Sequence, residues 1–377
     1  MTFQDFPCHN AAAVETVDPG RAPDRPEQEP QAGGINVPEG RGQFGPAQPG
    51  SAFDLGATLY VPIIHPSVAS IVAGDAIPAL RSVVLCLEDA LLSTDVERGM
   101  AALAALLLDL LPGGSGPHEG RGSVVRLHVA SDLAAQGPRT RSATRGPLLF
   151  VRPRSLEMAR RIADLPGIEI VDGFVAPKID LSTVESWWRV AGGTGLRLMP
   201  TLETAWVFDS GALRAFADAL EGLDPGRLVA LRVGGNDLLG LLGLRRQWGR
   251  TAYEGPLLAV LAQVICQLGA RGLPLTAPVF DILDDPRTLE AESRHDADFG
   301  FVGKTAIHPS QIPIITRAFS VSHADLAAAE AVLDPAAPAV FRHQGRMLEP
   351  ATHRAWARQI VQRATSYGMA PAACAAE

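Results

Sequence analysis

The sequence predicts a (β/α)8 TIM barrel with a C-terminal helical extension, and three observations predict it. Eight short apolar runs recur between residues 57 and 303, and longer stretches of helical character separate most of them. The runs are continuous rather than alternating, as strands covered on both faces read. Polar residues gather just past the ends of the runs, where a parallel barrel opens its ligand-binding mouth. About eight such units over roughly 250 residues is the usual size of this barrel. A doubly wound open sheet is the alternative, because strand order is not legible in one sequence. Against it, no G-x-G-x-x-G follows the first run.

Residues 1–50 carry Pro19, Pro23, Pro26, Pro30, Pro38, Pro46 and Pro49 and no apolar period. They predict a disordered leader. The barrel is expected over residues 51–320, with strands at 57–63, 82–87, 147–151, 171–176, 196–201, 228–233, 275–280 and 299–303. Helices are expected at 67–80, 94–111, 155–165, 181–191, 205–220 and 255–269. Ser93-Thr94-Asp95 and Asp180-Leu181-Ser182 supply start signals, and Gly193 and Gly269 supply stops. Residues 112–146 break the rhythm with Gly, Arg and Ser around one apolar run at 124–129, and read as an added strand or a flap. The extension, 321–377, holds helices at 322–333 and 351–364 joined by a turn-rich segment, and frays from residue 370.

Composition narrows the function classes. The 377 residues are 47% hydrophobic, enough to bury a large core. A net charge of -8 argues against nucleic acid as the main partner, since phosphate binding needs a basic face. The most apolar run, 101–111, is broken by Asp109 and is too short to span a bilayer, so no membrane partner is expected. The start, MTFQDFPCHN, lacks the basic and apolar regions of a secretory signal. The four cysteines show neither metal-ligand spacing nor a disulfide framework, which suits the cytoplasm, and core packing is expected for Cys86 and Cys266.

The chemistry is expected at the strand ends. The second strand ends in Glu88-Asp89, the third in Arg152, the fourth in Lys178, the fifth in Glu203 and the sixth in Asn236-Asp237. Glu203 and Asp237 close consecutive strands, so their carboxylates share one rim. Mg²⁺ takes oxygen ligands and keeps waters or substrate oxygens beside one or two carboxylates, and this pair would supply those two. Glu88 and Asp89 would then hydrogen-bond metal waters or orient the cations. Arg152 offers a planar fork to a substrate carboxylate or enolate oxygen. Capping of the following helices is the bland alternative for Glu203, Asp237 and the Glu88-Asp89 pair. Lys178 reads equally as a pocket cation or a salt-bridge partner, and His65 as a pocket or a surface histidine. His308 reads as a turn residue, and Trp187-Trp188 as packing. The nine histidines contain no H-E-x-x-H, and no Ser/His/Asp order stands out.

Seven ordered segments resemble the HpcH/HpaI aldolase and citrate lyase β-subunit superfamily. TLYVPIIHP resembles its first-strand L-F-V-P-G, and VVLCLEDAL its D-L-E-D-A-V, with Glu88 and Asp89 at the acidic positions. LLFVRPRS resembles V-R-V-N through Arg152, and FVAPKID the V-L-P-K segment around Lys178. TLETAW resembles the I-E-T-A segment and VGGNDLLGLLG the G-x-x-D-L-x-x-x-L-G segment, whose acids are the Mg²⁺ ligands, here Glu203 and Asp237. FGFVGKTAIHPSQI is similar to G-F-x-G-K-x-x-I-H-P-x-Q-I, the most specific of the seven. PLLFVRPRSLEMA and RVGGNDLLG further resemble a subgroup of such barrels linked to tellurium-resistance-type clusters.

The resemblance implies a Mg²⁺-dependent carbon–carbon lyase or aldolase, with Mn²⁺ as a substitute. It would work through an enolate on a 2-oxo acid or acyl-CoA substrate, as a homo-oligomer (trimer or hexamer). Two departures bear on it. Ile63-Ile64-His65-Pro66 stands where a Gly-Ser-Arg-Pro-like turn helps bind CoA, and Glu349 stands where a tail aspartate serves a neighbour's active site. On this reading Arg152, Glu88, Asp89 and Glu349 carry catalysis, and Arg152, Lys178 and His65 hold substrate. A thioester hydrolase or condensing enzyme on the same barrel is one alternative, and a non-catalytic ligand-binding subunit of a larger complex is another.

Overall fold

The structure, a computed structural model, describes residues 51–111 and 146–371. The expected leader, the apolar run at 124–129, Cys8 and Cys374 lie outside the described residues. Eight strands follow in chain order: β1 (Ala57–Pro62), β2 (Ser82–Cys86), β3 (Leu148–Arg152), β4 (Gly173–Ala176), β5 (Arg197–Leu202), β6 (Leu231–Val233), β7 (Leu275–Ala277) and β8 (Gly303–Ala306). Each pairs in parallel with the next. The ring closes where Ala57, Thr58 and Leu59 meet Lys304, Thr305 and Ala306. This closure excludes the open sheet.

The helices are α1 (Val68–Ala73), α2 (Val96–Leu110), α3 (Leu156–Ala163), α4 (Val184–Thr194), α5 (Ser210–Glu221), α6 (Gly235–Leu241), α7 (Leu257–Gln267), α8 (Pro286–Asp298), α9 (Gln311–Ala318), α10 (His323–Leu333) and α11 (Pro350–Tyr367). Two short strands, β9 (Phe341–His343) and β10 (Arg346–Leu348), form an antiparallel hairpin in the turn-rich segment before α11. Helices α10 and α11 share a small core of their own, built on Val321, Ala329, Val332, Leu348 and Ala357. Among the described residues no helix is long and apolar enough to cross a membrane.

Several expected elements differ in extent. The 67–80 helix stops at Ala73, because Gly74 takes a left-handed φ of 86° and ends it. The 205–220 helix is split: a 3-10 turn covers Ala205–Phe208, and Asp209 then caps α5 by accepting from the Gly211 and Ala212 N–H groups. Cys86 is buried as expected, but Cys266 is exposed, on the outer face of α7. The Trp187-Trp188 pair packs as expected, and Trp188 Nε1 donates to the Asp224 carbonyl.

The largest departures surround β8. It was expected at 299–303, yet Phe299 caps α8 and the strand begins at Gly303. Helix α8 was not expected at all, since its sequence, PRTLEAESRHDAD, has no apolar stripe. The reason is ionic. The buried face of α8 carries Glu292 and Asp296, and Lys304 of β8, fully buried, donates to Glu292 Oε1 at 2.8 Å and Asp296 Oδ2 at 2.7 Å. Arg246 and the Ala252 N–H each donate to Glu292 Oε2 at 2.6 Å, and the Tyr253 hydroxyl donates to Asp296 Oδ1 at 2.7 Å. Every carboxylate oxygen of this cluster therefore has a donor, the condition under which buried charge is tolerated.

Removing the cation alone tests that account. Lys304→Met should cost about 3–5 kcal/mol, the scale for leaving a buried partner uncompensated. Urea denaturation followed by circular dichroism measures it, and a loss below about 1 kcal/mol would contradict the account.

Candidate active site

The strand ends bring Glu88, Arg152, Lys178, Glu203 and Asp237 together at one mouth of the barrel. A cavity of about 760 Å³ opens there, and Asp89, Arg152, Lys178, Glu203 and Asp237 line it. Glu203 is the hub. It is 3% exposed, and both of its oxygens lie 3.1 Å from Arg152 Nη2. The Lys178 backbone N–H donates to Glu203 Oε1 at 2.8 Å. Lys178 adopts φ 49°, a left-handed conformation that non-glycine residues rarely take, and this turn aims its N–H at the carboxylate.

Arg152 Nη2 also lies 2.9 Å from Glu88 Oε2 and 3.5 Å from Asp89 Oδ2. Lys178 Nζ donates to Glu88 Oε1 at 2.6 Å. Arg154, which the sequence reading passed over, holds the loop after β2 by donating to the Glu88 and Leu91 carbonyls. Tyr60 was missed as well: its ring sits 6.0 Å from the Arg152 guanidinium and 5.1 Å from that of Arg232. Arg232 lay hidden inside an apolar run, and its charge was the only sign of it.

Asp237 reaches the hub through a close backbone approach. A Cβ at Gly234 would lie 2.7 Å from Glu203 Oε2 and closer still to the Glu203 Cβ, so only glycine lets the end of β6 pass here. Asp237 then sits in the first turn of α6. Burial pushes the Glu203 carboxyl up to about 7, and the Asp237 charge adds to it against the opposing pull of Arg152. A buried carboxylate with a second one close enough to act on it fits a divalent cation. Among the described residues no group of three or more His, Cys, Asp or Glu is placed to hold a metal. Two carboxylates with substrate or water completing the shell are what Mg²⁺ accepts.

The neighbouring pair of acids splits in the other direction. Burial opposes charge on Glu88, but the Asp89 hydrogen bond and the Arg152 and Lys178 charges hold it below the usual carboxylate range. Burial, the hydrogen bond to Glu88 and the Glu88 charge push Asp89 up to about 6. Asp89 is thus the member of the pair that takes up a proton first as the pH falls toward 6.

Two expected site residues lie elsewhere. His65 is exposed, its Nδ1 accepts from the Ser67 N–H at 3.2 Å, and it does not line the cavity. Glu349 precedes α11, where the Thr352 hydroxyl donates to its Oε2 at 3.3 Å, and it does not line the cavity of its own chain. His308 serves its local turn through the Ser310 N–H and hydroxyl.

The profile of the family described as C–C bond lyases of the TIM-barrel fold matches residues 50–369. The chain belongs to that family. A (3S)-malyl-CoA thioesterase of Cereibacter sphaeroides is 37% identical over 102 residues, which is 26% of this chain and 34% of that protein. The chain thus matches only about a third of that relative's length. A citrate lyase subunit beta-like protein of Mycobacterium tuberculosis is 32% identical over 238 residues, 60% of this chain and 82% of that one. The crystal structure of protein CitE from Mycobacterium tuberculosis, in complex with magnesium, acetoacetate and coenzyme A, shares the fold. Its TM-score is 0.55 at 21% identity, over 83% of this chain and 99% of that one.

Two outcomes follow for metal binding. Gly234→Ala should weaken Mn²⁺ binding by about tenfold or more, because the added methyl displaces Glu203; calorimetry at unchanged circular dichroism measures it. Mg²⁺ affinity should fall roughly tenfold from pH 8 to pH 6, because a proton on Glu203 must leave before the oxygen can ligate. An affinity flat across that range would contradict the carboxyl's raised value.

Proposed function

We propose that this chain is a divalent-metal-dependent carbon–carbon lyase or aldolase acting through an enolate on a 2-oxo acid or acyl-CoA-like carboxylate. The observation that carries the reading is the meeting of Glu203 and Asp237 at the ends of β5 and β6, beside Arg152, in one cavity. Family membership supports the bond type, and the magnesium and acetoacetate in the CitE complex support the metal and the substrate class.

Glu203 and Asp237 would hold Mg²⁺ or Mn²⁺, which when bound supplies Lewis-acid polarisation of a substrate carbonyl. Arg152 binds the substrate carboxylate. Its Nε is buried without a partner, as are the hydroxyls of Thr201 and Thr204, and all three residues line the cavity. Unpaired buried donors of this kind are expensive unless a ligand meets them. Glu88 fixes Arg152 and Lys178 in place, and Asp89 holds or moves the proton that the enolate carbon gains or loses. Glu349, away from its own cavity, would serve a neighbouring copy in a cytoplasmic homo-trimer or hexamer. CoA-thioester hydrolysis is the second reading, favoured by the malyl-CoA thioesterase relative.

The test is turnover of malyl-CoA, citramalyl-CoA and a panel of free 2-oxo acid aldols with Mg²⁺. Wild type should release the 2-oxo fragment. Asp237→Asn and Glu203→Gln should each lower kcat/KM by roughly 10²–10³-fold, the scale of losing a charge-stabilising group. Release of free CoA with no carbon–carbon cleavage would favour the hydrolase instead. Metal binding with no turnover of any kind would leave a ligand-binding subunit.

A further inference from the structure

Arg232 sits midway along β6 and is 2% exposed, yet it lines the cavity. Five cations are buried among the described residues: Arg81, Arg152, Arg232, Arg246 and Lys304. Four of them meet a carboxylate. Arg81 pairs with Asp54 at 3.1 Å, Arg152 with Glu203 at 3.1 Å, Arg246 with Glu292 at 2.6 Å and Lys304 with Glu292 at 2.8 Å. Arg232 has no carboxylate at ion-pair distance among the described residues; its close contacts are neutral, and the Glu203 charge reaches it only from further off. Its Nη2 donates to Thr305 Oγ1, its Nη1 lies 3.7 Å from the Met199 sulfur, and its guanidinium stacks 5.1 Å from the Tyr60 ring centre. A guanidinium stays charged, so a hydroxyl, a thioether and a ring can occupy its donors but cannot neutralise it.

A second observation points the same way. Thr201 is the register partner of Arg232 across β5 and β6, so both side chains face the barrel interior. The Thr201 hydroxyl is buried without a partner, and Thr201 lines the same cavity. The floor of the pocket therefore holds a cation with no carboxylate of its own beside an unpaired hydroxyl. Glu203 and Asp237 stand on the wall of that one cavity.

We propose that Arg232, with Thr201 and Thr305, forms a second anion subsite that selects 2-oxo acids bearing a further carboxylate. The inference rests on the lyase reading above and adds the substrate's charge to it. One carboxylate and its 2-oxo group take the wall, with Arg152. The second carboxylate takes the Arg232 fork, whose planar donors match its two oxygens. A neutral chain end in the same place leaves the guanidinium buried and uncompensated, which is the source of the discrimination.

The experiment is calorimetry of the full chain with Mg²⁺ and two matched ligand pairs: oxaloacetate against 2-oxobutanoate, and 2-oxoglutarate against 2-oxopentanoate. Wild type should bind one dicarboxylate at least about tenfold tighter than its matched monocarboxylate, the scale of a charge-assisted bidentate contact. Arg232→Met should erase that preference while leaving monocarboxylate binding within about threefold, and Arg232→Lys should restore part of it. Equal affinities within both pairs in wild type overturn the subsite, and this arm stands even if Arg232→Met does not fold. An undiminished preference in Arg232→Met, or an equal loss for both members of a pair, also overturns it. The lyase reading fails in a different way, when none of the four ligands shows Mg²⁺-dependent binding, and the subsite falls with it.

Discussion

The site depends on how near the backbone at the end of β6 comes to the Glu203 side chain. A closed ring of parallel strands brings eight chain ends to one rim, but neighbouring rims still stand a strand spacing apart. Glycine at position 234 removes the side chain that would otherwise keep β6 from Glu203. The Asp237 carboxylate arrives as a consequence, in the first turn of α6. Charge then follows from geometry. Two acids share one wall, and the buried one is held by Arg152 and the Lys178 N–H while desolvation, with the Asp237 charge adding to it, keeps its carboxyl raised.

The second acidic pair works by division of labour. Glu88 lies under Arg152 and Lys178 and stays ionised, whereas Asp89, further out, is the first of the two to be protonated as the pH falls. One wall of the cavity thus takes up a proton just below neutrality beside a wall suited to a cation. Arg232 adds a fixed positive charge on the floor. The cavity is a set of charged surfaces of alternating sign, arranged by which strand each residue ends.

Much of this was legible in the sequence because it followed from strand ends. Continuous apolar runs located seven of the eight strands to within a few residues. The polar residues just beyond them included Glu88, Asp89, Arg152, Lys178, Glu203 and Asp237, which the fold gathers at one mouth. What stayed hidden obeyed other rules. Helix α8 has no apolar stripe, since its buried face is acidic, and β8 was misplaced because Lys304 reads as a surface residue. Arg232 was unreadable for the same reason, as a charge inside a strand interior. Tyr60 and Thr201 look like ordinary strand residues, and only the closed ring shows them facing inward. His65 was placed by its position just past the first strand and Glu349 by resemblance to a tail segment, and the fold of one chain leaves both away from the cavity.

The ionic cluster joining α8 to β8 has a consequence for how this barrel can change. Its seam is closed by a lysine and two acids that have exchanged water for one another, so each is tolerable only while the others remain. An apolar seam of equal volume would serve as well, yet every single-step route toward it strands a charge in the interior. Lineages of this barrel should therefore inherit positions 292, 296 and 304 as a block, kept or replaced together. Drift on the outer surface and in the loops is free of that coupling.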